Sequence, residues 1–278
     1  MTDPLYIERN GHRTWLKWHR ARRRVSDPVF TGPRILEAMR LGASVEVDLV
    51  VHADHGFAIL HNATLEAETT GAGRVRETGA AMLRGLHLRD NQGTPLPDRV
   101  MLLEDLCQLL QRNPPHPDGL LQLDFKEDFS ALHPQTVANF AAGVAPVAGS
   151  LILSGGDAAA IEVLAQAAPG LRTGYDPCYG ESLARLRATG DYRSFIADAF
   201  AAAPKAEMIY LAYEIVLSAR AAGFDIIAPI HAAGRRIDAW TIRQITPETL
   251  TQVDKLLELK VDQITTDDPE GLLAALAR

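Results

Sequence analysis

Short apolar, β-rich runs alternate along this chain with longer Ala-, Leu- and Glu-rich stretches of helical period. The pattern predicts eight strands: Trp15–His19, Ser44–Val50, Leu120–Phe125, Ser150–Ser154, Leu171–Tyr175, Met208–Leu211, Ile237–Thr241 and Gln263–Thr266. Between them it predicts helices over Gly32–Arg40, Leu102–Gln111, Pro134–Ala142, Asp157–Ala167, Glu181–Ala203, Tyr213–Ala222 with Ile226–Ala232, and Pro247–Leu259, with a last helix over Pro269–Ala277. Eight strands alternating with helices imply an α/β fold, a TIM (β/α)8 barrel. The competing doubly wound sheet would carry a Gly-rich turn after its first strand. Here Arg20-Ala21-Arg22-Arg23-Arg24 stands there, with no glycine.

One segment departs from the alternation. Asp54-His55-Gly56 reads as a tight turn and Phe57–His61 as a strand returning from it. Residues 62–100 then turn polar and Gly/Thr-rich, a short insertion after the second strand. Placed at the end of a barrel strand, it is expected either to act as a small lid or to be a tolerated surface insertion, on one domain spanning 1–278.

Bulk composition narrows the partners. The chain has 278 residues, 47% hydrophobic and 23% charged, enough for a full core. A net charge of −7 argues against nucleic-acid binding. Cys107 and Cys178 are too few for a disulfide framework or a zinc set, so two reduced thiols are expected. No basic-then-apolar leader opens the sequence, and Asn139, Pro146 and several glycines break the uncharged stretch from Val137 to Gly156. A cytoplasmic protein without membrane insertion is therefore expected, and the sequon Asn62-Ala63-Thr64 carries no meaning there. No interface stripe distinguishes a monomer from a homodimer.

The chemistry concentrates in Glu46-Val47-Asp48. Successive strand side chains alternate faces, so both carboxylates point the same way and Val45, Val47 and Leu49 the other. Two carboxylates side by side on a buried strand repel and lose hydration unless a cation compensates. Oxygen ligands alone favour a hard divalent ion, Mg²⁺ or Ca²⁺. Active sites in such barrels lie where strands end. His19-Arg20 closes the first strand, His61 the hairpin return, Asp124 and Lys126 the third strand, and Thr266-Asp267-Asp268-Pro269 the eighth.

This ordered set resembles the glycerophosphodiester phosphodiesterase family. His19-Arg20 is similar to the start of its His-Arg-Gly motif. Pro28 and Thr31, with Gly42-Ala43 beyond, are similar to its Pro-Glu-Asn-Thr stretch. Glu46-Val47-Asp48 resembles its Glu-x-Asp motif, and His61-Asn62 its His-Asp. Thr69-Thr70-Gly71-Ala72-Gly73, Asp124-Phe125-Lys126, Trp240-Thr241-Ile242 and Thr266-Asp267-Asp268-Pro269 follow in the family's order. The departures are Ala21 for Gly, Val29 and Phe30 for Glu and Asn, Asn62 for Asp, and Asp124 for Glu.

The resemblance implies metal-dependent hydrolysis of a small-molecule glycerophosphodiester to glycerol 3-phosphate and an alcohol. It implies that Glu46, Asp48 and Asp124 hold one divalent cation, that His19 and His61 are general acid and base, and that Arg20, Lys126 and Trp240 bind substrate. Three carboxylates paired with Arg or Lys are the bland alternative for the first set, and packing for Trp240. Arg22, Arg23 and Arg24 are expected either to steer anionic substrate or to form a solvated loop. Asp267 is expected to cap the final helix. The departures keep two alternatives open: a lysophospholipid, sphingolipid or sugar phosphodiester as substrate, or a barrel that binds phosphodiesters without turnover.

Overall fold

The computed structural model describes residues 3–277. Its strands are β1 (Tyr6–Arg9), β2 (His12–Trp18), β3 (Ser44–Val51), β4 (Phe57–Ile59), β5 (His87–Arg89), β6 (Pro95–Arg99), β7 (Leu120–Phe125), β8 (Leu151–Gly155), β9 (Arg172–Tyr175), β10 (Met208–Ala212), β11 (Arg236–Ile242) and β12 (Gln263–Thr266). Eight of these run parallel in the ring β2-β3-β7-β8-β9-β10-β11-β12, and pairing of β12 with β2 closes it. Helices fill the connections, so the architecture is the expected (β/α)8 barrel.

Alternation within each strand separates two cores. Val45, Val47 and Leu49 of β3 and Leu121, Leu123 and Phe125 of β7 face outward and pack beneath the helices. Ser44, Glu46 and Asp48, with Gln122 and Asp124 beside them in register, take the inward positions. At the strands' starting ends the interior is filled by Leu120, Ile152, Met208 and Tyr210. Polar side chains lie above this apolar plug, and most of the ionisable ones gather at the strands' C-terminal rim.

Several elements differ from the sequence expectation. β1 pairs antiparallel with β2 across Asn10-Gly11, both at positive φ (52° and 73°), the favoured two-residue hairpin turn. The expected helix over 181–203 is two helices, Gly180–Thr189 and Tyr192–Ala202. Gly190 ends the first at φ 65°, and the Asp191 side chain caps the second by accepting from the Ser194 N–H at 3.0 Å. The 62–100 segment holds a short helix, Ala80–Gly85, and the two-stranded β5–β6 ribbon. Val29 and Phe30, which replace the Glu and Asn of the family motif, are buried in the core. Cys107 and Cys178 are free and buried. Among the described residues no helix is long and apolar enough to cross a membrane.

Gly42 shows how the loops fix strand entry. It ends the helix Gly32–Leu41 at φ 82°, and a Cβ there would stand 2.8 Å from His116 Nδ1. The left-handed backbone alone costs a residue with a Cβ roughly 1–2 kcal/mol. Gly42→Ala is therefore expected to lower the thermal midpoint by several degrees. An unchanged midpoint in calorimetry would show that the turn relaxes freely.

Candidate active site

The turn that follows β2 sets the first side chain. His19 is buried, and Arg20 and Ala21 both sit in the left-handed region, at φ 53° and 58°. Ala21 thus keeps a backbone conformation that glycine adopts more easily. The turn brings the Arg20 N–H to Glu46 Oε2 at 2.7 Å. Glu46 and Asp48 project inward from β3, and Asp124 stands opposite Asp48 on β7. One ligand oxygen from each of the three carboxylates lies within 4.8 Å of the others.

Two cations approach this cluster. Lys126 donates to Asp124 Oδ2 and lies 2.7 Å from Asp48 Oδ1, and Arg20 Nε lies 3.2 Å from Asp48 Oδ2. The contacts to Asp48 have ion-pair distance without hydrogen-bond geometry, so both of its buried oxygens lack a hydrogen-bond partner. Burial and the neighbouring Asp48 charge push the Glu46 carboxyl up to about 7. Burial raises Asp48 as well, against the pull of Lys126. Burial works the same way on Asp124, but Lys126, Ser154 and Lys17 outweigh it and hold that carboxyl below its ordinary value. Lys126 is itself held charged, because the three carboxylates overcome its desolvation.

The two histidines line one cavity of about 100 Å³ with Glu46, Asp124, Lys126 and Trp240. His19 Nδ1 meets Asp267 Oδ1 at 2.5 Å, and Arg22 reaches the other Asp267 oxygen at 3.2 Å. Burial alone would raise Asp267, yet the His19 hydrogen bond and the charges of His19, Arg22 and Arg243 hold it low. An ionised carboxylate only accepts, so His19 Nδ1 carries its proton toward Asp267. His61 is placed by the insertion: the buried Glu68 accepts from the His61 N–H at 3.1 Å and the Asn62 N–H at 2.9 Å. The His61 Nδ1 faces Asn62 Oδ1 at 3.2 Å. Burial, followed by the Arg20 and Lys126 charges, lowers His61 below the ordinary histidine value.

All eight residues singled out from the sequence therefore belong to one rim. The expectation for Asp267 is corrected. The helix cap is Asp268, which accepts from the Gly271 N–H at 2.7 Å, while Asp267 turns inward to His19. The basic run is largely paired: Arg22 with Asp267, Arg23 with Glu270, Glu37 and Asp3, and Arg24, which stays exposed, with Glu270.

Sequence reasoning missed Asp176 and Tyr179 at the end of β9. Burial pushes the Asp176 carboxyl up to about 8, and its Oδ1 accepts from the Cys178 N–H at 2.8 Å. Tyr179 lies nearly parallel to Trp240, with ring centroids 6.4 Å apart. The signal available was Asp-Pro-Cys-Tyr directly after a strand, a place where rim residues are expected. Lys17 and Asp238 were missed too, because each sits mid-strand among apolar residues.

The sequence profile of the glycerophosphoryl diester phosphodiesterase family matches residues 33–271. The chain belongs to that family. It is accordingly an enzyme of the phosphoric diester hydrolase class. Solved structures carry the same fold at low identity. A protein from Agrobacterium tumefaciens assigned as a glycerophosphoryl diester phosphodiesterase is 22% identical, with a TM-score of 0.69 over 95% of this chain and 97% of that one. A counterpart so assigned from Silicibacter pomeroyi is also 22% identical, with a TM-score of 0.70 over 95% and 94%. A phosphodiesterase from Oleispira antarctica, solved with its product sn-glycerol-3-phosphate, is 18% identical, with a TM-score of 0.65 over 95% and 96%. No curated protein sequence matches the chain.

Proposed function

We propose that this family member hydrolyses glycerophosphodiesters to glycerol 3-phosphate and an alcohol, with His19 and His61 as the proton-transfer pair beside a divalent cation. The observation that carries the reading is the gathering of both imidazoles and three carboxylates around one rim cavity. The Oleispira antarctica protein of the same fold binds sn-glycerol-3-phosphate, which fits the same product here.

The residues present fit a hard cation. Asp48 is fully buried with both oxygens lacking hydrogen bonds, and Lys126 and Arg20 offset only part of the charge of three carboxylates. Glu46, Asp48 and Asp124 would hold Mg²⁺ or Ca²⁺, which when bound supplies Lewis-acid polarisation of a phosphoryl oxygen. Lys126 stays protonated and faces the same cavity, where it stabilises negative charge as it grows on the phosphoryl group. Arg20 offers a planar fork of donors to the phosphodiester. Trp240 and Tyr179 flank the cavity as apolar walls for the glycerol or its substituent.

His61 is held neutral near pH 7 and so suits the base, taking the proton of the attacking hydroxyl or water. His19 then protonates the leaving alcohol oxygen through Nε2, the nitrogen that Asp267 leaves free. Residues 1–278 act as one barrel domain, with 62–100 as a small cover. Its Asn91 reaches Arg22 at 3.4 Å, and its Glu68 fixes the backbone at His61.

A panel of glycerophosphodiesters, a lysophospholipid, a sphingolipid phosphodiester and a sugar phosphodiester tests the reading, with released phosphomonoester read by coupled alkaline phosphatase. Turnover is expected with the glycerophosphodiesters at a rate at least tenfold above the rest. Preference for a lipid or sugar diester would reassign the substrate, and no turnover of any would reduce the protein to a binding barrel.

A further inference from the structure

Beneath the rim, the barrel interior carries an unbroken run of hydrogen-bond donors that ends on Asp124. It starts from a buried ion pair: Lys17 of β2 and Asp238 of β11 are 2% and 0% exposed, with Nζ and Oδ2 3.1 Å apart. Two ions inside a barrel persist only when closely matched. Asp238 also accepts from Thr265 Oγ1 at 2.7 Å, and Lys17 Nζ lies 4.4 Å from the Tyr210 ring centroid.

The direction of the run is fixed at both ends. An ammonium can only donate, so Lys17 takes the carbonyl oxygen of Gln122. That orients the Gln122 amide nitrogen away, where it donates to Ser154 Oγ at 2.8 Å. The Ser154 hydroxyl proton then points to Asp124 Oδ1 at 2.9 Å. The other Asp124 oxygen is held by Lys126, which also reaches Asp48. Held by Lys126 alone, the short carboxylate would be free to turn. Ser154 supplies the second anchor.

We infer that Ser154 is a positioning residue for the cation site, oriented by Gln122 and Lys17, and that this buried run sets metal affinity through the orientation of Asp124. The inference rests on Glu46, Asp48 and Asp124 being metal ligands. Partners of metal ligands commonly change affinity ten- to a hundredfold when removed.

The test is calorimetric titration of Mn²⁺ into the metal-stripped full-length protein, with thermal midpoints measured in parallel. Ser154→Ala is expected to weaken Mn²⁺ binding at least tenfold, and Ser154→Thr, which keeps the hydroxyl, to restore most of it. Gln122→Glu separates orientation from charge. A carboxylate there accepts from both Lys17 and Ser154, turning the hydroxyl away from Asp124, so binding weakens. Were charge alone at work, the added negative group would tighten it. Wild-type affinity in a folded Ser154→Ala protein, or tighter binding by Gln122→Glu, overturns the inference. Absence of Mn²⁺ binding by the wild type removes the metal-ligand reading itself, and the inference with it.

Discussion

His19→Ala and His61→Ala should each lower kcat by about a hundred- to ten-thousandfold, the usual share of a general acid or base. The loss should fall on kcat rather than KM, because the groups proposed to bind the phosphodiester, Arg20 and Lys126, stay in place. Neither change should unfold the protein. His61 is partly exposed, and after His19→Ala the Asp267 carboxylate keeps Arg22 at 3.2 Å. The pH profile gives the sharper check. A base works only when deprotonated, and His61 lies below its ordinary value of 6.5. The acidic limb of kcat/KM should therefore fall below pH 6.5 and vanish in the residual activity of His61→Ala. Full kcat in either variant, with a wild-type melting curve, would remove that histidine from proton transfer.

Removal of divalent cations should abolish activity, and Mg²⁺ or Ca²⁺ should restore it. The same titration should move stability, which separates a bound cation from one needed only by the substrate. In the cation-free protein Glu46 takes its proton at about 7 against an ordinary value of 4.5, through burial and then the Asp48 charge. Between these values the folded chain binds more protons than the unfolded one. The contribution of Glu46 to the stability of the cation-free protein is therefore lost as pH rises through that window. A cation that binds only the folded state adds about 2.7 kcal/mol at a hundredfold excess over Kd. The gain in thermal midpoint on adding Mg²⁺ should accordingly be larger at pH 8 than at pH 5, where protons compete for Glu46. An enzyme resistant to EDTA, or a midpoint indifferent to cations at pH 8, would contradict the site.

Much of this was legible before folding. The eight-strand count, the same-face Glu46 and Asp48, and the order of His19, His61 and Asp124-Phe125-Lys126 all follow from local pattern and spacing. The misreadings are equally local in origin. Asn10-Gly11 is a hairpin signal and Thr189-Gly190-Asp191 a stop-and-restart signal, and the stronger apolar periodicity around each masks it. Asp267 and Asp268 are indistinguishable as caps in sequence. Their roles separate only because one faces the helix end and the other the ring of His19.

The sequence by itself determined the barrel and its same-face carboxylates, since a period of two or of 3.6 residues is written in adjacent positions. Only the tertiary structure decided what those groups meet. Closure of β12 on β2 brings Asp267 to His19 across 248 positions, and the interior joins Lys17 to Gln122 across 105. No local period encodes such contacts. They exist because a closed ring of eight strands turns alternate side chains of each strand toward a shared axis. At that axis each polar group must find a partner or remain, like the oxygens of Asp48, without one.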